Sequence, residues 1–178
     1  HQRGNDEGDV ELFKQPAGKR RIKRAGRRGR QHGRGDAQPA RHGLPNSVVK
    51  VEHSLFSGCT SLSSIAVETG NKTYDSRNNC NAIIETATNT LIIGCQCTII
   101  PNNITSIGNN AFDGCSSLNR IIIPHSVKKI GEYAFSNCSS LASIKVETGN
   151  TIYDSRKDCN AIIETATNTL VVACKNTF

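Results

Sequence analysis

The sequence predicts a mostly β fold with short helical turns: a solenoid of stacked repeats that carries β-hairpins and follows a disordered basic segment. Three observations predict it: the 178-residue chain matches itself at an offset of 23 residues, it matches itself again at an offset of 79 residues, and its excess positive charge lies in the first quarter. Self-similarity at a fixed period indicates units too small to bury a core alone, so neighbouring units must stack. The apolar runs fall far short of the roughly 18 residues that a membrane helix needs.

The basic segment, residues 1–43, contains 12 of the 22 Lys and Arg residues but 5 of the 15 Asp and Glu residues, a net charge of +7. We predict that it is disordered, because it is too charged to bury the apolar surface that would offset chain entropy. Three interpretations stay open. Its basic clusters could bind nucleic acid or another polyanion without reading bases. The segment could bind an integrin, because Arg34, Gly35 and Asp36 form the tripeptide that integrins recognise. Alternatively, the segment is a misassembled leader without function.

The remaining residues, 44–178, are predicted to form the solenoid. Apolar residues of one coil are spaced 5, 6, 3 and 2 positions apart from Ile107 to Ile123, which suits a chain that turns once around a core. The end of the coil is predicted to be a short strand that Pro124 terminates, since proline cannot donate to a ladder. The 23-residue coils are predicted at about 45–67, 101–123 and 124–146.

Each coil is predicted to place a phenylalanine in the core. We expect Gly108 to adopt a backbone conformation that other residues avoid. Residues 109–113 are long enough for one helical turn that carries Phe112 inward. Burial of such a side chain contributes about 1.5–3 kcal/mol, and one coil cannot enclose it without a neighbour.

Two longer units, about 68–100 and 147–178, each contain a predicted β-hairpin. They share a stretch of 25 residues at the 79-residue offset, with four differences. In the first unit two apolar strands flank the turn Thr86–Asn89, in which Asn89 is predicted to be left-handed. The hairpin is inserted in the solenoid or extends it.

The chain resembles the BspA-type leucine-rich repeat over about Leu44–Phe178, through the coil pattern Ile107-Gly108-x-x-Ala111-Phe112-x-x-Cys115-x-x-Leu118-x-x-Ile121-x-Ile123-Pro124. The hairpin-bearing units resemble those of Bacteroidales members of that family through the segments Tyr-Asp-Ser-Arg and Asn-Ala-Ile-Ile-Glu-Thr-Ala-Thr-Asn-Thr-Leu. The first coil departs from the pattern, with Glu52 in place of glycine and Leu55 in place of alanine.

The resemblance implies a non-enzymatic module of a cell-surface or secreted protein, used for adhesion to a host matrix protein, a cell-surface protein or a glycan. It also implies a monomeric piece of a longer chain, since a stack without terminal caps would expose the edges of its core. A structural spacer that holds other domains away from the cell is the alternative from a different class.

No residue pattern predicts catalysis, a cofactor or a metal site. The five histidines are scattered and form no metal-binding or nucleophile motif. Cys95-x-Cys97 lacks a second ligand pair at zinc spacing. Cys59, Cys115 and Cys138 occupy one position of each coil, where leucine-rich repeats place Asn or Cys to bond the backbone, and we interpret them as buried structural thiols.

Four further cysteines are candidates for disulfides. If the hairpin turn is Thr86–Asn89, Cys80 faces Cys95, and the 79-residue offset makes Cys159 face Cys174. Opposed residues of antiparallel strands are about 4.5–5.5 Å apart, within reach of a disulfide. One slip of register would separate the sulfurs, so free thiols stay the alternative.

A binding face is predicted on the coil strands, where the residues between the buried ones point outward. Concave faces of this kind are where solenoids meet partners, although a merely solvated sheet would show the same alternation. The candidate residues are Ser64, Ala66, Arg120, Ile122, Ser143 and Lys145.

Overall fold

The computed structural model describes residues 41–52 and 62–177. The predicted Arg34, Gly35 and Asp36 tripeptide, most of the basic segment and Cys59 lie outside these ranges. No helix of the described residues is long and apolar enough to span a membrane. The regular secondary structure of the described chain is mostly strand, with short 3₁₀ turns at Arg77–Asn79 and Arg156–Asp158. Its strands are β1 Arg41–Leu44, β2 Ser64–Val67, β3 Tyr74–Asp75, β4 Ile83–Glu85, β5 Thr90–Ile93, β6 Ser106–Ile107, β7 Arg120–Ile123, β8 Lys129–Ile130, β9 Ser143–Val146, β10 Tyr153–Asp154, β11 Ala161–Glu164 and β12 Thr169–Ala173.

Each coil contributes one four-residue strand to a parallel pair. Strand β1 pairs with β2, and β7 pairs with β9. Ile121 and Ile123 of β7 are buried, and the strand ends before Pro124, as the spacing of the apolar residues predicts. Strand β1 begins at Arg41, so regular structure starts three residues before the predicted boundary at 44.

The coils 101–123 and 124–146 stack on each other through their turns. The Phe112 N–H donates to the Ala134 carbonyl at 2.8 Å. In the same way, the Asn110 N–H donates to the Glu132 carbonyl and the Gly114 N–H to the Ser136 carbonyl. Phe112 and Phe135 stack with ring centroids 5.0 Å apart. Residues 109–114 form hydrogen-bonded turns rather than the predicted helical turn, but Phe112 is fully buried as predicted.

Close packing of the coils, rather than an unusual backbone angle, explains the glycine of the repeat. The φ of Gly108 is not in the left-handed region, contrary to the prediction. A Cβ on Gly108 would lie 3.2 Å from the Leu91 carbonyl oxygen, and one on Gly131 would lie 2.5 Å from the Asn109 nitrogen. Glycine is therefore needed because the backbone of the preceding unit occupies the space of a side chain.

The first hairpin is part of a five-stranded sheet in the order β3-β4-β5-β6-β8. Its turn is the predicted one, since Glu85 pairs with Thr90 and Asn89 has a φ of 51°. Strand β5 then pairs in parallel with β6, and β6 with β8, so the hairpin extends the stack of coils. The second hairpin forms a three-stranded sheet, β10-β11-β12.

Strand β4 is buried on both faces and separates two apolar clusters. Ile83 packs in the cluster that contains Leu44 and Ile65, whereas Ile84 packs in the cluster that contains Phe112. Both isoleucines are completely buried. The hairpin therefore joins the core of the first coil to the core of the next two.

An asparagine and a tyrosine clamp each hairpin unit to the preceding coil. The Asn150 amide donates to the Pro124 and Val127 carbonyls at 3.0 and 2.9 Å, and its oxygen accepts from the backbone N–H groups of Ile152 and Tyr153. The Tyr153 hydroxyl accepts from the Ile130 N–H at 3.1 Å. Asn71 and Tyr74 make the same contacts to the first coil.

Candidate binding surface

The outward row on strands β7 and β9 has the geometry that the sequence predicts. Arg120 stands opposite Ser143, and Ile122 stands opposite Lys145, in a parallel register. Arg120, Ile122 and Lys145 are exposed, Ser143 is half-buried, and the residues between them face the core. The result is a small surface with two cations around an isoleucine that is 38% exposed.

Ser64 and Ala66 do not join this row in one sheet. They lie on β2, which pairs with β1, whereas β7 pairs with β9, so the six predicted residues lie on two separate strand pairs. The hairpin unit comes between the two pairs along the chain and contributes its strands to a different sheet. The strand pairing therefore divides the six residues between two pairs, and a single binding face made of all six stays a prediction.

Ile99 is an outward apolar residue that the sequence analysis missed. It is 76% exposed, whereas Ile100 beside it is buried. Ile99 precedes Ile122 by 23 residues, the coil offset, so the repeat itself could have identified it. Its place in the hairpin unit, outside the 23-residue coils, hides it from the pattern of outward coil positions.

Both hairpins contain a bulge that changes the predicted pairing of cysteines. The register shifts by one residue along the first hairpin, where the flanking pairs are Ile84 with Leu91 and Ile83 with Ile93. The second hairpin shifts at the equivalent place. The shift moves each pair of cysteines out of line, and Cys80, Cys95, Cys159 and Cys174 are free thiols. The structure thus contradicts the two predicted hairpin disulfides.

The Sγ atoms of Cys80, Cys95 and Cys174 contact backbone carbonyls instead. The cysteines of the coils do the same. The Cys138 Sγ lies 3.2 Å from the Phe112 carbonyl oxygen, and the Cys115 Sγ lies 3.7 Å from that of Gly94. Burial raises the pKa of the Cys138 thiol to about 11, and it also raises the pKa of Cys80 and Cys95. A thiol with a raised pKa is a poor nucleophile at neutral pH, which supports a packing role. Cys115 and Cys138 are half-buried against the core rather than buried as predicted.

An aspartate, an arginine and an asparagine fix the base and turn of each hairpin. Arg77 Nη2 lies 2.7 Å from Asp75 Oδ2, and its Nη1 donates to Asn89 Oδ1 at 2.8 Å. In the second hairpin the hydrogen bond from Arg156 lowers the pKa of the Asp154 carboxyl. Both arginines bond the aspartate and the turn asparagine of their own hairpin, which supports a structural role.

Within the described residues no group of three or more His, Cys, Asp or Glu side chains is placed to hold a metal ion. The exposed row on β7 and β9 contains no acid, thiol or histidine. Its chemistry is limited to charge, hydrogen bonding and apolar contact, which are the means of binding another molecule.

The parallel coil strands, the stacked turns and the 23-residue spacing define a leucine-rich-repeat protein. The family model for the BspA type leucine rich repeat region matches residues 41–93 and 94–168, with six copies. The chain therefore belongs to the BspA-type leucine-rich-repeat family. No curated protein is significantly similar to it.

Solved structures of leucine-rich-repeat proteins are similar to this chain. A leucine-rich cell surface protein from Faecalibacterium prausnitzii is 30% identical, with a TM-score of 0.48 over 58% of this chain. The pneumococcal vaccine antigen PcpA is 22% identical, with a TM-score of 0.50 over 61% of this chain. A leucine-rich repeat protein from Eubacterium ventriosum is 21% identical, with a TM-score of 0.43 over 60% of this chain and 36% of its own. The chain spans 28% of the length of the first two.

Proposed function

We propose that this chain is part of an adhesion module, a solenoid of BspA-type repeats that binds a protein or glycan partner at a cell surface and catalyses no reaction. The family resemblance supports the surface location. The observation that carries the proposal is the outward row on β7 and β9, where Arg120 and Lys145 flank the exposed Ile122. Arginine is one of the residue types enriched in binding hot spots.

Charge favours an acidic partner. Arg120 and Lys145 are exposed on strand positions that carry no acidic residue, and Ser143 adds a hydroxyl between them. Such a surface attracts carboxylates or sulfates of a matrix protein or glycan, and the attraction weakens as salt screens it. Ile99, which is 76% exposed, is the equivalent of Ile122 at the 23-residue offset and is a second exposed isoleucine for the same contact.

The test is a matched pair of charge-reversal variants. Arg120→Glu with Lys145→Glu reverses the row, and Lys128→Glu with Lys129→Glu makes the same charge change on two exposed lysines of coil 124–146 that lie outside the row. Binding of the full chain to immobilised collagen, laminin and fibronectin and to a heparin column is measured at two salt concentrations. We expect the first variant to lose at least tenfold in affinity and the second to bind like the original chain.

Two rival functions give different results in the same assay. Polyanion binding by the basic segment predicts that deletion of residues 1–40, which spares strand β1, abolishes binding to heparin. A structural spacer predicts that neither variant nor deletion changes any interaction. Normal binding by the chain with a reversed row would contradict the proposal, provided that its thermal midpoint is unchanged.

A further inference from the structure

Two exposed isoleucines occupy equivalent positions of successive repeats, beside the cations of the outward row. Ile99 is 76% exposed and Ile122 is 38% exposed, and the offset of 23 residues relates them. The repeats that carry them are neighbours in the stack, since β5 pairs with β6. Lys145 stands opposite Ile122 on β9, and Arg120 lies two residues before Ile122 on the same face of β7. Apolar surface and positive charge therefore lie side by side.

Hydrogen bonds fix the backbone around Ile99. Its N–H donates to the Cys80 carbonyl at 3.0 Å. The hydroxyl of Thr98, a buried neighbour, donates to the Asn81 carbonyl at 2.6 Å and accepts from the Cys95 N–H at 2.7 Å. A β-branched side chain on a fixed backbone has few rotamers to lose. Contact between this isoleucine and a partner therefore costs little conformational entropy.

Charge disfavours two occupants that this chain itself could supply. A two-fold interface joins one surface patch to its own copy, so a second copy docked through this face would bring Arg120 and Lys145 against the same cations. Residues 1–43 carry a net charge of +7, so the two cations repel this segment as well. The surface is therefore suited to a different molecule that carries negative charge.

The isoleucines distinguish between the two kinds of acidic partner that the proposed function allows. A sulfated glycan could neutralise Arg120 and Lys145, but its hydroxyl and sulfate groups would leave Ile99 and Ile122 without apolar contact. No aromatic side chain, on which a sugar ring could stack, lies in the outward row. A peptide can offer carboxylates and aliphatic side chains together, and burial of apolar surface contributes about 25 cal/mol per Å². The composition of the surface therefore favours a peptide.

We infer that the surface formed by Ile99, Arg120, Ile122 and Lys145 binds an acidic peptide that presents an aliphatic side chain between two carboxylates. The inference rests on the proposed function and narrows its partner to a segment of a protein. In an extended peptide, residues i, i+2 and i+4 point to one side at steps of about 6.6–6.8 Å. The pattern acid-x-aliphatic-x-acid thus directs one carboxylate towards each cation and the aliphatic group towards the isoleucines.

The experiment compares two peptides with the same fluorescent label, Glu-Ser-Leu-Ser-Glu and Glu-Ser-Ser-Ser-Glu, on the full chain. Fluorescence anisotropy gives the dissociation constant of each peptide. We expect the leucine peptide to bind at least fivefold more tightly, and we expect Ile99→Thr with Ile122→Thr to abolish this preference. Threonine keeps the branched Cβ that suits a strand. Val49→Thr is the matched control, because Val49 is 70% exposed and lies outside the outward row.

Alkylation of Cys97 tests the location of the bound peptide without a substitution. The Cys97 thiol is exposed and lies two residues before Ile99. We expect a saturating concentration of the leucine peptide to slow the reaction of Cys97 with iodoacetamide at least threefold. Cys159 of the second hairpin is the internal control, and its rate of alkylation is expected to stay the same.

Three results would overturn the inference. The first is that the original chain binds both peptides equally or binds neither, since the isoleucines would then contribute nothing. The second is an unchanged rate of Cys97 alkylation with the leucine peptide bound. The third is a preference for leucine that survives the threonine substitutions in a variant with the original thermal midpoint.

Failure of the inference is distinguishable from failure of the proposed function. Heparin binding that Arg120→Glu with Lys145→Glu abolishes, without any binding of the leucine peptide, would make a sulfated glycan the partner and leave the proposed function in place. Binding of peptide, heparin and matrix proteins that the charge reversal leaves unchanged would overturn both.

Discussion

The two hairpin units, 68–100 and 147–177, have nearly the same sequence and the same internal structure but different surroundings. Both contain the bulge, the left-handed asparagine at the turn and the clamp to the preceding coil. Their second long strands differ in burial, and Cys80 and Cys95 are buried where Cys159 and Cys174 are half-buried. The same residues thus form the same local structure whether or not a neighbour covers them.

The difference separates the stability that comes from within a hairpin unit from the stability that comes from its contact with the next coil. The hairpin's own hydrogen bonds and ion pair fix its shape, since these are present in both units. Burial of its second strand comes from the next coil, because it is present in the first unit and not in the second. Stability in repeat proteins divides in this way into an intrinsic part and an interface part.

Truncation of the equivalent leucines tests how stability divides between the hairpin and its interface, and it is expected to have the largest effect on the free energy of unfolding. Leu91→Ala removes a fully buried side chain and is expected to lower the free energy of unfolding by about 2–5 kcal/mol. Leu170→Ala removes a half-exposed one and is expected to cost less than about 1 kcal/mol. Urea denaturation of the two variants measures the difference. Equal losses would mean that β12 is covered in solution.

Thiol labelling is expected to show a difference of intermediate size between the cysteines of the two hairpin units. At pH 8 we expect exposed Cys97 to react first with iodoacetamide, then Cys159 and Cys174, and last Cys80 and Cys95. Burial both blocks access to the last two and raises the pKa of their thiols, so little thiolate is available. Peptide mass spectrometry over time gives the order, and labelling in urea is the control. Disulfide-linked peptides before reduction would contradict the free thiols.

Acid is expected to have the smallest effect, and it acts on the second hairpin through Asp154. The hydrogen bond from Arg156 lowers the pKa of this carboxyl, so its contribution is present above the unfolded-state pKa and is lost as the pH falls through the folded-state value. We expect a small drop in thermal midpoint between pH 6 and pH 3 that shrinks in Asp154→Asn. Asp158→Asn, an exposed acid in the same unit, is the control. An unchanged pH response in the first variant would contradict this role.

The repeats made much of the fold predictable. The 23-residue spacing identified strand β7 and its buried face, and the residues around Thr86–Asn89 identified the hairpin turn. These features depend on local patterns, namely alternation, a proline that ends a strand and an asparagine that tolerates positive φ. The family resemblance, now confirmed, rested on the same repeats.

Features that depend on contacts between units could not be predicted in this way. The bulge that separates Cys80 from Cys95 adds one residue without any glycine or proline to mark it. Strands β6 and β8 are two residues long, and each pairs with the edge of the strand before it in the sheet, β6 with β5 and β8 with β6. The separation of Ser64 and Ala66 from Arg120 follows from where the hairpin enters the sheet, which is a property of topology.

The clamp of Asn150 and Tyr153 determines where a longer or shorter version of this protein can be cut and joined. A junction just before Glu147 would leave both side chains without the coil carbonyls and the Ile130 N–H that they bond. A junction before Pro101 or Pro124 keeps each clamp within one piece. The exchangeable part is therefore a coil together with the hairpin that follows it, and single coils can be added between such pairs.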